Sequence, residues 1–462
     1  MERTQKSAAF LTLGCKVNAY ETDAMERVMR EAGYQSVNFN EPADVYIINT
    51  CTVTNMADRK SRQMLHRAKH RNPDALVVAV GCYVQAAGEE LKKDECVDLV
   101  LGNNQKNQIA QVIEEHWNNQ EWEGRILSIQ EQMEYEKISI EDAGEKTRAY
   151  IKVQDGCNQF CSYCIIPYTR GRLRSRRVED VVEEVENLGK KGYQEIVVTG
   201  IHLSSYGVDL PEWKEKAPFF QFTELKGEPL LILLERLAQI KEIRRIRLGS
   251  LEPRIITEEF VSRLAAIRKV CPHFHLSLQS GCDETLKRMN RHYTTEEYLE
   301  KLSLLRTYYE NPAITTDVIV GFPEETPEEF EATRQFLAKA AFAQMHIFKY
   351  SVRKGTKAEK MRQIDEPVKA ERSDCLLRLE KEMEDRYRSQ FEGTTQEVLI
   401  EEPVQIEGKE YWVGHNERYV KIAVEKTKEN EDILESNRLL DVVVKDGKEC
   451  GMLVAVQPVH SC

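Results

Sequence analysis

Along the first part of the chain, short apolar runs alternate with amphipathic stretches. AAFLTLG, DVYIIN, ALVVAV and VDLVLG read as strands. Between the first two, NAYETDAMERVMREAGY places Met25, Val28, Met29 and Ala32 on one face and stops at Gly33, the pattern of a helix. ADRKSRQMLHRAKHRN predicts a basic helix ending before Pro73, and QIAQVIEEHW a further one. This alternation predicts a parallel sheet covered on both faces. Residues 119–146 are acidic and weakly periodic, a linker or a peripheral strand pair. From Thr147 the alternation returns on a longer scale, with candidate strands RAYIKVQ, EIVVTG, RIRLGS, HFHLSLQ, TTDVIVG and MHIFKYS. Helical stretches such as VEDVVEEVENLGKKG and EEFVSRLAAIRKV separate them. Six such units predict a partial (β/α) barrel, whose sites gather where loops leave the strand C-termini. After the helix SDCLLRLEKEMEDRYRSQF come short strands, QEVLIEE, EYWVGH, YVKIAV, LLDVVV and GMLVAVQ, which predict a small antiparallel barrel. The expected chain is α/β: a parallel-sheet domain over 1–118, a linker over 119–146, a partial barrel over 147–375, and a helix plus small β-barrel over 376–462.

Composition adds limits. A length of 462 residues suits about three domains. The 41% apolar and 31% charged content is that of a soluble globular protein. No run of eighteen apolar residues predicts a membrane span. MERTQKSAAFLTLG lacks the apolar stretch and cleavage site of a secretion signal, so a cytoplasmic location is expected. The net charge of −12 excludes bulk attraction to polyanions. Residues 149–375 hold 35 basic against 34 acidic side chains, and 376–462 hold 12 against 19, a net of −7. Any nucleic-acid contact must come from local basic patches.

Twelve cysteines in a chain expected to stay reduced point to metal or catalysis rather than disulfides. Neither a paired CxxC zinc pattern nor HExxH occurs, and Cys96, Cys271, Cys282, Cys375, Cys450 and Cys462 read as scattered thiols. DGCNQFCSYCIIP is different: Cys157, Cys161 and Cys164 fall within eight residues, directly after a candidate strand. Three thiolates on one loop can hold three corners of a 4Fe–4S cube, whose usual ligand set is four cysteines. The next cysteine is Cys271, so one iron is left open to bind a small molecule. The competing reading is a zinc site, which wants a fourth ligand. Upstream, Cys15 follows FLTLG, Cys51 follows VYIINT and Cys82 follows VVAVG. Each stands just past its own strand, and in a parallel sheet such positions share the ligand-binding edge. Three thiols from three loops can therefore converge, with chance placement as the alternative.

The CxxxCxxC loop resembles the radical S-adenosylmethionine superfamily. The resemblance implies that the open iron chelates S-adenosylmethionine, whose cleavage yields a 5′-deoxyadenosyl radical. It implies that Tyr163 packs near the adenine and that Thr199 and Gly200 in VVTGIHL form the turn holding the amino group. Gln279 in LSLQSG and Asp317 through Gly321 in TTDVIVGFPEET match later cofactor segments. For the two glycines an ordinary strand-to-helix turn is an equal reading. With both triads counted, LGCKVNAYE, INTCTVTNMADRKSR, GCYVQ, DGCNQFCSYCIIPYTRGRLRSR, SLEP, LSLQSGCD and TDVIVGFPEET resemble the methylthiotransferase family over nearly the whole chain. That resemblance implies a second 4Fe–4S cluster on Cys15, Cys51 and Cys82 that carries or donates sulfur. It also implies an electron donor, not identified by the sequence. Of the three branches of the family, GCKVN is most like the one acting on N6-threonylcarbamoyladenosine of tRNA. The isopentenyladenosine branch more often reads GCQMN, and the branch acting on a ribosomal-protein aspartate GCPKN. A non-enzymatic electron-transfer or sensing protein would need two closed clusters, and only two triads are well placed.

Basic patches bear on tRNA as a partner. Arg170, Arg172, Arg174, Arg176 and Arg177 follow the radical loop, and Arg59, Lys60, Arg62, Arg67, Lys69 and Arg71 lie on the helix after Cys51. Both would sit near the strand-end faces, where phosphates could be gripped. A solvated helix face, or arginines bonded to carboxylates, is the other reading. The small C-terminal barrel stands where the family carries a TRAM domain, though its acidity is poor for phosphate; Lys421, Lys426 and Lys428 could still cluster.

Overall fold

The computed structural model describes residues 5–118, 126–131, 134–144, 146–216, 222–449 and 452–458. Cys450 and Cys462 lie outside them. The first domain is one parallel sheet of β1 (Ser7–Thr12), β2 (Gln35–Val37), β3 (Val45–Thr50), β4 (Leu76–Gly81) and β5 (Leu99–Leu101), in the order β2-β1-β3-β4-β5. Every residue of β3 and β4 is buried, as a central parallel strand covered on both faces requires. The covering helices are α1 (Lys16–Glu31), α2 (Asn55–Arg71), α3 (Cys82–Leu91) and α4 (Ile109–Trp117). The strand order reverses between β1 and β3, so the crevice beyond their C-terminal ends is the switch point at which such sheets bind ligands.

The partial barrel has six parallel strands: β6 (Arg148–Asp155), β8 (Glu195–Gly200), β9 (Arg245–Leu248), β10 (His273–His275), β11 (Ala313–Val320) and β12 (Gln344–Lys349). A two-residue strand that sequence periodicity cannot show, β7 (Arg174–Ser175), pairs antiparallel with the end of β6. Single bridges, Ile246 to Val270 and Leu251 to Leu276, join β9 to β10. HFHLSLQ is regular only over its first three residues; Gln279, at φ +76°, instead bridges to Val318 on β11.

The helix Glu366–Ser389 crosses the expected boundary at residue 375, and its Leu376 and Met383 lie in the barrel's apolar core. The described parts of 119–146 form no strand. Ile129, Ile138, Ile140 and Ala143 are buried, and Tyr20 of α1 donates to the carbonyl of Ile138 at 3.0 Å. Among the described residues, no helix is long and apolar enough to cross a membrane.

The C-terminal unit closes as β13-β14-β15-β17-β16, from β13 (Thr395–Ile406), β14 (Lys409–Asn416), β15 (Lys421–Glu425), β16 (Leu439–Glu449) and β17 (Met452–Pro458). It is antiparallel except for the β15–β17 pair. Five strands form an odd ring, which cannot alternate throughout. This unit seats on the N-terminal end of the large barrel, opposite the cysteine loop. Arg247 donates to the carbonyls of Asn416 and Glu417, both at 2.6 Å, and Arg245 to that of Glu397 at 2.7 Å. Tyr419 lies 4.9 Å from the Arg247 guanidinium and 5.2 Å from that of Arg148. The buried carboxylate of Glu195 accepts from both Arg148 and Arg247 at 2.7 Å.

Burial alone would push the Glu195 carboxyl up, but Arg247 and Arg148 outweigh it and hold it at about 2. A depressed carboxylate contributes stability above its unfolded value, here 4.5, and loses it as pH falls through the folded value. We therefore expect Glu195→Gln to cost about 3 kcal/mol at neutral pH, with the gap to the parent closing between pH 4.5 and about 2. Denaturant titrations across that range measure the gap; a pH-independent difference would refute the assignment.

Candidate functional site

β6 ends at Asp155, and the chain turns at Gly156, φ +70°, where a Cβ would stand 1.9 Å from the carbonyl oxygen of Arg172. Only glycine fits so close an approach. The following loop carries Cys157, Cys161 and Cys164. Its N–H of Cys157 donates to Gly171 at 3.1 Å, and the N–H of Ser162 to Met289 at 3.0 Å. Asn290 donates to the carbonyl of Phe160 at 3.1 Å, and Arg291 points Nη1 at Cys161 Sγ, 3.4 Å away. Burial pushes the Cys157 thiol up to about 12, and burial with Cys161 beside it pushes Cys164 up. Three thiols on one loop fit a metal that binds the thiolate form and releases the thiol protons.

Beside the loop is a cavity of about 260 Å³. Tyr163, Cys164, Gln279, Asp317 and Ile319 line it from the barrel, and Val53 and Thr54 from the first domain. Tyr163 also meets Phe322 edge-on at 6.3 Å. Three of the expected cofactor contacts, Tyr163, Gln279 and Asp317, thus share one space with Cys164. Thr199, Gly200 and Gly321 do not line it. Gly200 ends β8 against Gln154, and a Cβ on Gly321, φ +64°, would stand 2.3 Å from Cγ of Lys369. Packing against the helix Glu366–Ser389 is reason enough for glycine there.

Cys15, Cys51 and Cys82 follow the adjacent strands β1, β3 and β4. Gly14, φ +99°, brings its backbone so close that a Cβ would lie 2.8 Å from Cys51 Sγ. Burial pushes the Cys51 thiol up to about 12, with Cys82 and Cys15 adding to the rise. Cys15 is open to solvent yet enclosed by surrounding protein, an internal crevice; burial raises its thiol and Arg170 offsets part of the rise. The first domain thus presents a second convergent thiol set at its switch point.

The two sets meet through one segment. Asn103 donates to the carbonyl of Thr169 at 2.7 Å and approaches Cys82 Sγ at 3.5 Å. The next residue, Arg170, is fully buried. It donates to Asn18 at 2.6 Å and Glu21 at 2.8 Å on α1, and to Asp155 at 3.1 Å at the end of β6. Lys106 and Lys152 complete the cluster, 2.8 and 2.7 Å from Glu21.

Two family models match, the radical SAM superfamily over residues 151–337 and the uncharacterized protein family UPF0004 over 7–102. The threonylcarbamoyladenosine tRNA methylthiotransferase MtaB of Bacillus subtilis is 39% identical over 425 residues, covering 92% of this chain and 91% of that protein. The chain belongs to the radical S-adenosylmethionine methylthiotransferase family. The corresponding MtaB of Aquifex aeolicus is 41% identical over 83% of the chain and 89% of its own length. A tRNA-2-methylthio-N(6)-dimethylallyladenosine synthase of Thermodesulfovibrio yellowstonii is 35% identical over 84% and 86%. Among solved structures, the radical S-adenosylmethionine methyltransferase TsrM of Kitasatospora setae shares the fold, with a TM-score of 0.52 at 15% identity over 74% of this chain and 73% of that one.

In this methylthiotransferase the arginine run after the radical loop is not one patch. Arg170, Arg174 and Arg176 are buried and are unavailable to phosphate. Arg174 donates to the carbonyl of Arg170 at 2.9 Å, and Arg176 is ion-paired with Glu184. Arg172 and Arg177 are exposed, the former over the Phe160 ring at 4.7 Å. Arg59, Lys60 and Arg62 are exposed on α2, with Arg62 donating to the Tyr83 hydroxyl at 2.6 Å. Sequence reading missed the Arg170 cluster. Its available signal was α1, where Glu21 interrupts the apolar positions Val17, Ala24 and Met25.

Proposed function

We propose that this chain adds a methylthio group to carbon 2 of N6-threonylcarbamoyladenosine beside the tRNA anticodon. In this reading Cys157, Cys161 and Cys164 hold one 4Fe–4S cluster, and Cys15, Cys51 and Cys82 hold the other. The observation that carries it is the pair of separate three-thiol sets, at the strand ends of two domains, joined through Thr169 and Arg170. When bound, S-adenosylmethionine and the two clusters supply a carbon radical and a sulfur, which a non-acidic ring hydrogen demands and polar catalysis cannot provide. The chain's own part is orientation and exclusion of water. Tyr163, Gln279 and Asp317 border the cavity beside Cys164 and orient the nucleotide, while Thr199, Gly200 and Gly321 shape the strand-end turns around it. Arg172, Arg177, Arg59, Lys60 and Arg62 remain free of burial and grip the RNA backbone. The acidic C-terminal barrel, seated opposite the cysteine loop, has a structural share in its role. An electron donor completes the reaction in the cytoplasm.

Nucleosides from tRNA of strains with and without the gene test this reading. The 2-methylthio derivative of threonylcarbamoyladenosine is expected to disappear on deletion and return with the plasmid-borne gene. Loss of the isopentenyladenosine derivative instead, or of a ribosomal-protein modification seen by peptide mass analysis, would move the chain to another branch. No 5′-deoxyadenosine from reduced protein would leave an electron-transfer protein.

A further inference from the structure

A carbon radical is productive only where the base and the sulfur already stand in line with it. Reacting atoms must meet at about 3–3.5 Å, and a misplacement of about 1 Å can cost about 100-fold in rate. Where radical and sulfur come from two domains, one thiol loop has to be fixed against the other. Thr169 and Arg170 do this beside Cys82 and α1. On the Cys51 side the chain that leaves β12, residues 351–358, makes the corresponding contacts. Arg353 is buried, and its guanidinium crosses from the barrel into the first domain. Nη1 donates to the carbonyl of Thr52, directly after Cys51, at 2.8 Å. Nη2 donates to the side chains of Asn55 at 2.6 Å and Asp58 at 2.7 Å, in the first turn of α2. Asp58 also accepts from the Thr52 hydroxyl at 2.6 Å. The N–H of Asn55, one of the donors a helix leaves unpaired at its start, reaches Ser351 Oγ at 3.0 Å.

Further along, the same strap touches the radical loop. The N–H of Ala358 donates to the carbonyl of Ser162, between Cys161 and Cys164, at 2.8 Å. Ala358 is fully buried with Met289, Phe322 and Tyr350, and Tyr163 packs against that group. The turn between the two contacts is tied to itself. Thr356 donates to the carbonyl of Arg353 through its N–H at 3.2 Å and its hydroxyl at 2.7 Å. The N–H of Gly355, φ +85°, donates to Glu359 at 2.7 Å. The cavity beside Cys164 is bordered on this side by Tyr350 and Ser351 of the barrel and by Val53 and Thr54 of the first domain.

We propose that Arg353 is a positioning residue for sulfur transfer, which through the strap 351–358 holds the loop of Cys51 in register with the loop of Cys157, Cys161 and Cys164. This rests on the two-cluster reading given above. The planar fork of Arg353 meets a carbonyl, an amide and a carboxylate at once, and an ammonium cannot reproduce that geometry. Without the fork the radical should still form, because the radical loop keeps its own contacts to Gly171, Met289 and Asn290. The loop of Cys51 would then be free to shift relative to it, and the sulfur would stand out of line.

The test counts methylthio product and 5′-deoxyadenosine from the same anaerobic reaction of holoenzyme with S-adenosylmethionine and an anticodon stem-loop RNA carrying threonylcarbamoyladenosine. In Arg353→Met, 5′-deoxyadenosine should form near the parent rate while product per deoxyadenosine falls by about 10- to 100-fold. Arg353→Lys, which keeps the charge without the fork, should recover part of that ratio. Asp58→Ala removes an acceptor on the other side of the joint and should lower the ratio in the same sense, so the question stays open to test where Arg353→Met fails to fold. Iron content and thermal melting establish which variants are intact. A ratio equal to the parent's in the intact variants, whether both products persist or fall together as in a loosened fold, would overturn the assignment. A parent that forms 5′-deoxyadenosine but no methylthio product from this RNA would sink the proposed function itself, a result independent of Arg353.

Discussion

Replacing Cys157, Cys161 and Cys164 together by alanine is expected to reduce 5′-deoxyadenosine formation to background. Replacing Cys15, Cys51 and Cys82 is expected to leave it, while methylthio product disappears. The asymmetry follows from where the thiols sit. The first set lies on a single loop of the barrel, pinned by Met289, Asn290 and Arg291 of the same domain. It borders the cavity that holds Tyr163, Gln279 and Asp317. The second set comes from three loops of another sheet. Each variant should retain half of the parent's iron, since neither set borrows a cysteine from the other. Anaerobic assays with dithionite-reduced protein, read by chromatography of deoxyadenosine and of the modified nucleoside, separate the two outcomes. Loss of deoxyadenosine in both variants would show that the sets do not divide the work as proposed.

How much of this was legible depended on the distance over which the information is written. The radical loop is local: three cysteines within eight residues after a strand need no tertiary knowledge. The second triad needed one physical rule, that loops leaving a parallel sheet share an edge. The six barrel strands were visible as apolar runs. The arginine run misled because charge was counted without direction. Antiparallel pairing of Arg174–Ser175 with β6 turns part of the run inward, and the partner that makes Arg170 a buried residue, Glu21, is 149 positions away. A single sequence marks Glu21 as a carboxylate among apolar positions of α1, but not which cation meets it. The small barrel's seating was hidden for the same reason: Arg245 and Arg247 donate mostly to backbone carbonyls, which no residue type announces, and the Glu401 carboxylate that meets Arg148 is 253 positions away.

Arg170 is where the largest single-residue effect is expected. Its guanidinium makes four sets of contacts at once: to Asn18, to both oxygens of Glu21, to Asp155, and by proximity to the thiols of the second triad. Burial opposes its charge, and Cys82, Glu21 and Asp155 hold it. In turn Lys152, Arg170 and Arg174 hold the buried Asp155 carboxyl well below its ordinary range against the cost of burial. Arg170→Met keeps the length of the side chain and removes the charge and the fork. Glu21 and Asp155 then share only Lys106, Lys152 and Arg174, and Asn18 loses its donor. Breaking a buried ion cluster by deleting one member costs about 3–5 kcal/mol. Because Glu21 belongs to the first domain and Asp155 to the barrel, the cost falls on the joint between them. The electrical effect is separate. If Cys15, Cys51 and Cys82 hold a cluster as proposed, a buried positive charge beside it favours the reduced, more negative form, so its removal should shift that cluster's potential downward. The radical-loop cluster, which Arg291 rather than Arg170 approaches, should keep its potential. Arg170→Lys preserves the charge but cannot fork between Glu21 and Asn18, and should recover the potential more fully than the stability. Urea denaturation and redox titration followed by paramagnetic resonance read the two effects independently. A variant within about 1 kcal/mol of the parent, with both potentials unmoved, would mean that the segment Thr169–Arg170 joins the two sites in space without coupling them.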